Sequence, residues 1–268
     1  MVEQVGNNLR TEGQVDRAPD FAEPQFPDEK PGHAIFSEGY RAAWLALFVR
    51  HLGRGEGRRA VDLACGSAVI SHLLDDIGFR VTGIDWAEPM LERARRKAAA
   101  RKRPIEFLLG DAEVTMEPDN SADVVTNRHL VWTLVDPAAA FREWHRILKP
   151  GGKLLLIDGD FVNPGPLSRL FSGLSGLAQK LGLMAPDKRH GPGALGDTHR
   201  SILSRVYFSS GARADEVVRL LTEAGFADIR VDFDLKAIHR QQRRNFSLLK
   251  GLERATQHRY AISAVKTG

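Results

Sequence analysis

Two acidic residues, each associated with an apolar segment, are the side chains best suited to chemistry in this sequence. Asp62 lies in the apolar segment that begins at Val61, and a loop of small residues follows, Ala64-Cys65-Gly66-Ser67-Ala68. Asp85 ends the next apolar segment, roughly 20 residues further on, where a carboxylate can accept hydrogen bonds from the hydroxyls of a ribose. The small residues let a ligand approach the backbone closely, and amides at a helix N-terminus favour a negative group.

A strand, a tight turn, a helix and a second strand are needed to position these acids. We predict the first strand around Val61, a helix from Ser67 to about Gly78, and the second strand over 79–84. This βαβ unit is of nucleotide-binding type. A dinucleotide pyrophosphate calls for the pattern G-x-G-x-x-G, whereas Gly66 is the single glycine of the loop, so the loop argues against a dinucleotide.

The segment from Asp62 to Ala68 resembles the first motif of class I S-adenosylmethionine-dependent methyltransferases, which is an acid followed by three alternating glycines. Gly66 keeps the middle glycine, and Ala64 and Ala68 stand in the outer places. Alanine is small enough to preserve the close approach of a ligand.

Three further segments resemble later motifs of that family, in the family's order. Gly110-Asp111-Ala112 follows an apolar strand over 105–109 and is similar to the third acidic position. The strand over 121–129 runs into polar residues, as the fourth motif does. Residues 140–152 are similar to the family's helix, its Lys-Pro-Gly-Gly turn and the start of strand five. The resemblance therefore extends over residues 58–158.

The resemblance implies an α/β, Rossmann-like class I methyltransferase fold, with a seven-stranded, mostly parallel sheet and helices on both faces. It also implies N-terminal helices and a helical lid insertion. We expect a flexible or loosely packed arm over 1–36, where residues are polar and unpatterned, and a single methyltransferase domain over 37–268. The lid is expected at about 161–212, where an amphipathic helix begins after Pro166 and carries a leucine-rich stripe.

Helix start signals and apolar spacing place other elements. We predict N-caps at Ser37 and Asp136, and a proline at the first helical position, N1, at Pro89. We expect a strand in which Ile229, Val231, Phe233 and Leu235 alternate, and a closing strand over 260–266.

The resemblance also implies the role of each cofactor-binding residue. The methionine portion is assigned to Asp62 and to the backbone of Ala64, Cys65 and Gly66. The ribose hydroxyls are assigned to Asp85, and the faces of the adenine ring to Trp86 and Met90. The adenine edge is assigned to Asp111 and Ala112, and the methionine end of the site to Asn127 and Arg128.

Two histidines are the candidates for a general base. A sulfonium methyl is already electrophilic, so the protein mainly has to hold the reactants in line, and a base is needed only for a protonated nucleophile. His129 directly follows the fourth strand. His199 belongs to the insertion, and Asp197 two residues before it could orient its ring. No clustered His, Cys or Asp spacing suggests a metal site.

Composition limits the location and the partners. The net charge is +4, which does not by itself imply nucleic acid, and the basic residues of 93–103 have the pattern of a solvated helix face. Cys65 is the single cysteine, so the chain cannot form an internal disulfide, which fits a reducing cytoplasm. We expect a cytoplasmic monomer or homodimer with a small-molecule acceptor, no nucleic acid, and no stable membrane insertion.

Three other functions are weighed against a small-molecule methyltransferase. The leucine stripe at 167–181 has basic flanks, so a quinone or lipid methyltransferase at a membrane surface is the first alternative. A non-catalytic S-adenosylmethionine-binding regulator is the second, because intact acids argue for binding and not for turnover. A nicotinamide-dependent oxidoreductase is disfavoured by the missing loop glycines.

Overall fold

The computed structural model describes residues 37–163, 165–180, 206–243, 251–252 and 257–268. Its strands are β1 (Arg59–Leu63), β2 (Arg80–Asp85), β3 (Glu106–Leu109), β4 (Ala122–Arg128), β5 (Leu148–Asp160), β6 (Phe226–Asp232) and β7 (His258–Lys266). Its helices are α1 (Glu38–Leu52), α2 (Val69–Asp76), α3 (Glu88–Ala100), α4 (Pro137–Ile147), α5 (Pro166–Lys180), α6 (Ala214–Glu223) and α7 (Lys236–Arg243), with a 3-10 turn at Val131–Thr133.

The seven strands form one sheet in the order β3-β2-β1-β4-β5-β7-β6. Strands β1 to β5 pair in parallel, and β7 runs antiparallel to both of its neighbours, β5 and β6. The predicted seven-stranded, mostly parallel sheet is therefore confirmed. Because the parallel strands point the same way, the residues that end them meet along one edge, which is where open α/β sheets bind ligands.

Helices cover both faces of the sheet because the strand residues alternate between them. Along β5, Leu154 and Leu156 pack under α4 and α6, whereas Leu155 and Ile157 pack under α1 and α2. Each face thus has its own apolar core. A smaller third core joins α3 to the loop after β1.

The two predicted N-caps are confirmed. The Ser37 hydroxyl accepts a hydrogen bond from the Tyr40 amide at 3.2 Å, and the Asp136 carboxylate accepts one from the Ala139 amide at 2.9 Å. Pro89 lies in the first turn of α3, one residue after the predicted N1 position, where its missing N–H removes no helical hydrogen bond.

Two predicted boundaries were wrong. Helix α2 begins at Val69 and not at Ser67, because Ala68 is in the left-handed region with φ 68° and its backbone cannot continue a helix. Strand β6 ends at Asp232 and not at Leu235. The Asp232 carboxylate accepts the amide hydrogen of Asp234 at 2.7 Å, which turns the chain and leaves Phe233 exposed.

The amphipathic helix predicted after Pro166 is present as α5, but its apolar stripe faces outward. The exposed fractions of Leu167, Leu170 and Leu174 are 57%, 56% and 42%, whereas Ser175 is buried. The rest of the expected lid, residues 181–205, lies outside the described residues, as does the expected N-terminal arm. Within the described part of the chain, no helix is long and apolar enough to cross a membrane.

Candidate cofactor and acceptor site

Every second residue in the loop after β1 has a left-handed backbone conformation. Ala64, Gly66 and Ala68 have φ values of 52°, 54° and 68°. A left-handed conformation costs a residue with a side chain roughly 1–2 kcal/mol, so the two alanines store strain that glycines in the family's motif would not. A Cβ added to Gly66 would stand 3.5 Å from Met90 Cε, an ordinary contact, so its backbone conformation and not the available space favours glycine there.

The carboxylate of Asp85 ties this loop to the end of β2. Its Oδ2 accepts a hydrogen bond from the Gly66 amide at 2.8 Å, and its Oδ1 accepts one from the Ala87 amide at 2.9 Å. Burial raises the pKa of Asp85, and these amide hydrogen bonds act in the opposite direction. A carboxylate offers about four lone-pair positions, so both oxygens keep capacity for further donors.

Asp62 is buried on the face of the sheet covered by α1 and α2. Its Oδ2 accepts a hydrogen bond from the Ser71 hydroxyl at 2.6 Å. Burial raises the pKa of Asp62 to about 7, although that hydrogen bond and the charge of Arg128 favour the ionised form. This carboxyl group is therefore poised to change its charge near neutral pH.

Cys65 is a packing residue. A Cβ added to Gly83 would come within 2.9 Å of both Cys65 Sγ and Phe107 Cδ1, so β2 approaches the loop closely at a position without a side chain. Burial raises the pKa of the Cys65 thiol well above its usual value, which keeps it neutral. The thiol is therefore a small buried packing group.

The residues predicted to contact adenine lie around the ends of β2 and β3. Trp86 is exposed, and Met90 lies beside Gly66. The Asp111 Oδ1 accepts the amide hydrogen of Glu113 at 2.9 Å, so this acid forms a turn. The carbonyl oxygen of Ala112 accepts a hydrogen bond from the Trp144 indole at 2.7 Å, which fixes the segment to α4.

The end of β4 carries a buried amide that its surroundings do not satisfy. Asn127 is fully buried, and within the described part of the chain neither its Oδ1 nor its Nδ2 has a hydrogen-bond partner. A buried polar group left this way costs roughly 1–3 kcal/mol, so the site suits a polar ligand. Arg128, the next residue, points to the other face of the sheet, where its guanidinium lies 5.5 Å from the centre of the Trp44 ring.

Three aromatic rings meet beyond the ends of β4 and β5, and we call them the aromatic cluster: His129, Trp132 and Phe161. The rings of His129 and Phe161 meet edge-on with centroids 5.4 Å apart, and those of Trp132 and Phe161 meet edge-on at 6.2 Å. His129 has a left-handed φ of 60°, and its amide donates to the carbonyl of Ile157 at 3.0 Å. The structure thus places His129 directly beside the end of β5.

Asp158 was missed by sequence reasoning and holds this cluster in place. Its Oδ2 accepts the amide hydrogen of Val131 at 2.7 Å, and its Oδ1 accepts that of Gly159 at 2.8 Å. It is fully buried, and burial raises its pKa to about 7. The sequence signal for Asp158 was its position directly after the apolar run that ends at Ile157. A carboxylate buried there needs hydrogen-bond donors.

The other predicted catalytic residue, His199, lies outside the described residues. Among the residues that the structure does describe, no group of three or more His, Cys, Asp or Glu side chains could hold a metal ion. The described site therefore consists of the loop after β1, the acids at the strand ends and the aromatic cluster.

Comparison with known proteins agrees with this geometry. The methyltransferase-domain family matches residues 61–156. A demethylmenaquinone methyltransferase from Renibacterium salmoninarum is 28% identical over 238 residues, covering 84% of this chain and 93% of that protein.

Two solved structures share the fold. Phosphoethanolamine N-methyltransferase 2 from Haemonchus contortus, in complex with S-adenosyl-L-methionine, has a TM-score of 0.60 and 18% identity, covering 93% of this chain and 60% of that one. Geranyl diphosphate C-methyltransferase from Streptomyces coelicolor, in complex with S-adenosyl-L-homocysteine, has a TM-score of 0.57 and 16% identity, covering 84% and 76%. The matched domain and the relatives support a class I S-adenosylmethionine-dependent methyltransferase, and the solved structures share its fold.

Proposed function

We propose that this protein transfers a methyl group from S-adenosylmethionine to a small-molecule acceptor held beside the aromatic cluster. The observation that carries the proposal is the bridge made by Asp85, which joins the loop after β1 to the end of β2 through the amides of Gly66 and Ala87. That bridge places a carboxylate with spare acceptor capacity next to a loop of small residues. The hydroxyls of a ribose suit this carboxylate as hydrogen-bond donors.

The chain's residues suit the remaining parts of the cofactor. Asp62 offers a carboxylate to its ammonium group, and the backbone of Ala64, Cys65 and Gly66 lines the methionine portion. Trp86 and Met90 offer apolar faces to adenine, and Asp111 and Ala112 offer polar atoms to its edge. Asn127 brings to the methionine end an amide that has no hydrogen-bond partner among the described residues, and Arg128 places its positive charge on the opposite face of the sheet, where Asp62 lies.

When bound, the cofactor supplies a methyl group on a sulfonium, which is already a strong electrophile. The protein's contribution is then placement, worth up to roughly 7–11 kcal/mol in favourable intramolecular models. The aromatic cluster positions the acceptor and excludes water. His129 accepts a proton where the nucleophile arrives protonated, because a neutral imidazole can do so near pH 7. His199 remains a second candidate for this role.

A quinone acceptor is the second candidate function, and the aromatic cluster favours it. Edge-on rings at the end of β4 and β5 offer apolar contacts to a planar ring, and Phe161 is partly exposed beside them. The relative from Renibacterium salmoninarum is named for a demethylated menaquinone. A reduced quinone would present a hydroxyl or an activated ring carbon, and proton removal by His129 would assist either nucleophile.

Nucleic acid is a poor acceptor for this surface. Basic residues in and just after α3 are engaged with acids: Arg95 pairs with Glu88 at 2.5 Å, and Arg103, beyond the helix, pairs with Asp75 at 2.9 Å. These ion pairs support the interpretation of a solvated helix face. A monomeric or homodimeric state and a cytoplasmic location remain predictions.

Thermal-shift measurements followed by turnover assays test the proposal. A ligand at 100 times its dissociation constant stabilises the folded protein by roughly 2.7 kcal/mol, so S-adenosylmethionine and its demethylated product should each raise the melting temperature, and NAD should not. Turnover of a water-soluble naphthoquinol then separates an enzyme from a regulator. Stabilisation by NAD alone would contradict the proposal, and stabilisation by the cofactor without turnover of any acceptor would favour a regulator.

A further inference from the structure

We propose that α5 and the end of β5 form a docking surface for an anionic lipid bilayer, which delivers an apolar acceptor to the site. This inference rests on the proposed function. The surface, which we call the α5 patch, consists of Phe161, Val162, Leu167, Leu170 and Leu174. All five are exposed in the structure.

Three leucine side chains of α5 face solvent, whereas the apolar side of a helix in a globular protein ordinarily faces the core. Residues 167, 170, 171 and 174 fall on one side of a helix, because neighbours three and four apart share a face. On that side the three leucines are exposed, whereas Ser175 is buried and its hydroxyl has no hydrogen-bond partner within the described part of the chain. An exposed apolar patch beside a polar surface marks an interaction site.

The positive charge of this segment favours an anionic bilayer as the binding partner of the α5 patch. The sequence from Phe161 to Lys180 contains no aspartate or glutamate, and its charged residues are Arg169 and Lys180. Arg169 is exposed. A basic residue near an anionic membrane surface raises the affinity for that surface roughly fivefold, and apolar side chains on the other face of the helix can enter the acyl boundary.

The length of α5 fits a helix that lies in the interface. With 15 residues it spans roughly 22 Å, and a helix that crosses a bilayer needs about 20 apolar residues. Its two glycines and three serines also exclude a continuous apolar surface. Leucine side chains on one side of such a helix would penetrate only the outer acyl region.

The α5 patch is continuous with the candidate site. Phe161 belongs both to the patch and to the aromatic cluster, where its ring lies 5.4 Å from that of His129. Val162 follows it on the same exposed segment. An acceptor dissolved in the bilayer would therefore meet the exposed side chains of Val162 and Phe161 before it reaches the His129 ring.

Flotation with vesicles tests the inference. The full chain is mixed with vesicles of equal parts phosphatidylglycerol and phosphatidylcholine, or of phosphatidylcholine alone, without detergent. We expect the protein to float with the anionic vesicles. The triple variant Leu167→Ser, Leu170→Ser and Leu174→Ser should bind about tenfold or more weakly, and Arg169→Glu about fivefold more weakly.

The control is a second triple variant of exposed apolar residues elsewhere: Val114→Ser, Met116→Ser and Phe233→Ser. It should float as the parent protein does. The inference is overturned if the parent stays at the bottom of the gradient, if both triple variants float equally well, or if the α5 variant instead dissociates a dimer, which would make the patch a contact between two copies.

Two further measurements separate this inference from the proposed function. The thermal shift produced by the demethylated cofactor and the turnover of a water-soluble acceptor should be the same in the parent and in the α5 variant. A loss of vesicle binding alone, with both measurements intact, is the result expected of a docking surface. A parent that binds vesicles but shows neither thermal shift nor turnover would refute the proposed function and leave the docking surface standing.

Discussion

The two halves of the sheet's carboxyl edge are built differently. At the ends of β1 and β2, carboxylates are buried and fixed: Asp62 by the Ser71 hydroxyl, and Asp85 by two backbone amides. At the ends of β4 and β5, three aromatic rings meet edge-on, and a helix with exposed leucines follows. The first half is polar and held by short hydrogen bonds, whereas the second combines the buried polar groups of Asn127 and Asp158 with an apolar surface that is partly exposed.

This difference suits a site with one constant ligand and one variable ligand. A cofactor with the same hydroxyls and charges in every reaction is best bound by fixed acceptors, because preorganised groups lose little freedom on binding. An acceptor selected by shape and apolarity is better served by ring faces and partly exposed side chains. We expect mutations in the two halves to affect different measurable quantities.

The largest expected effect is on turnover, and it would distinguish the two halves of the sheet's carboxyl edge. His129→Ala should lower kcat by about 10²–10⁴-fold if the ring is the base, and it should leave the affinity for the demethylated cofactor unchanged. Steady-state kinetics and calorimetric titration measure the two quantities. His145, which packs against Phe226 away from this edge, provides the matched control in His145→Ala. A decrease in kcat of less than about threefold would assign His129 to packing.

The next effect is on cofactor affinity. Asp85→Ala removes the acceptor for the Gly66 and Ala87 amides and the acceptor that we propose for the ribose, and charge-assisted hydrogen bonds contribute roughly 1.5–3 kcal/mol each. We expect the dissociation constant of the demethylated cofactor to rise about a hundredfold or more, with the fold retained.

Asp123→Ala is its control, because Asp123 also accepts a backbone amide hydrogen, that of Arg59 at 2.8 Å, at the opposite edge of the sheet. Calorimetric titration of both variants, with circular dichroism to verify the fold, makes the test. Equal affinities for the two variants would remove Asp85 from the site.

A smaller effect concerns pH. Burial raises the pKa of Asp62 to about 7, so this carboxyl group takes up a proton as the pH falls through neutrality. Since the ionised form should attract the ammonium group of the cofactor, the dissociation constant should rise up to about tenfold from about pH 8 to about pH 6. Calorimetry across that range measures the slope. The variant Asp62→Asn should bind more weakly and show a flat profile, and an unchanged slope would assign the titration to another group.

The smallest effect lies in the strained loop. Ala64 is partly exposed with φ 52°, so Ala64→Gly should relieve strain and change the free energy of unfolding by about 0–1 kcal/mol in the stabilising direction, after the entropy of glycine in the unfolded chain is counted. Ala68 is left-handed but fully buried, so Ala68→Gly loses packing and serves as the comparison. Urea denaturation of both variants decides whether strain or packing dominates, and a destabilised Ala64→Gly would contradict the strain argument.

Local signals in the sequence predicted the polar half better than the apolar half. Asp85 was identifiable because an acid that ends the second strand of a βαβ unit can be recognised from the residues next to it in the sequence. The helix starts at Ser37 and Asp136 were equally local, since each cap bonds an amide three residues ahead.

The residues that were missed depend on contacts across the sheet. Asp158 matters because its carboxylate reaches the Val131 amide, 27 residues earlier in the chain, and Phe161 matters because its ring reaches His129. The stripe on α5 was visible in the sequence, but periodicity shows only which residues share a face. It does not show whether that face is covered.

The position of β7 has a consequence for how the protein is made. β7 is inserted between β5 and β6, and β6 pairs with no other strand in the part of the chain that the structure describes. A ribosome delivers β6 before β7, so β6 has no partner until residues 258–266 emerge. Until then β5 and β6 each present an unpaired edge, which is a template for aggregation. The interval between the synthesis of β6 and that of β7 would therefore be the one in which the nascent chain most needs a chaperone.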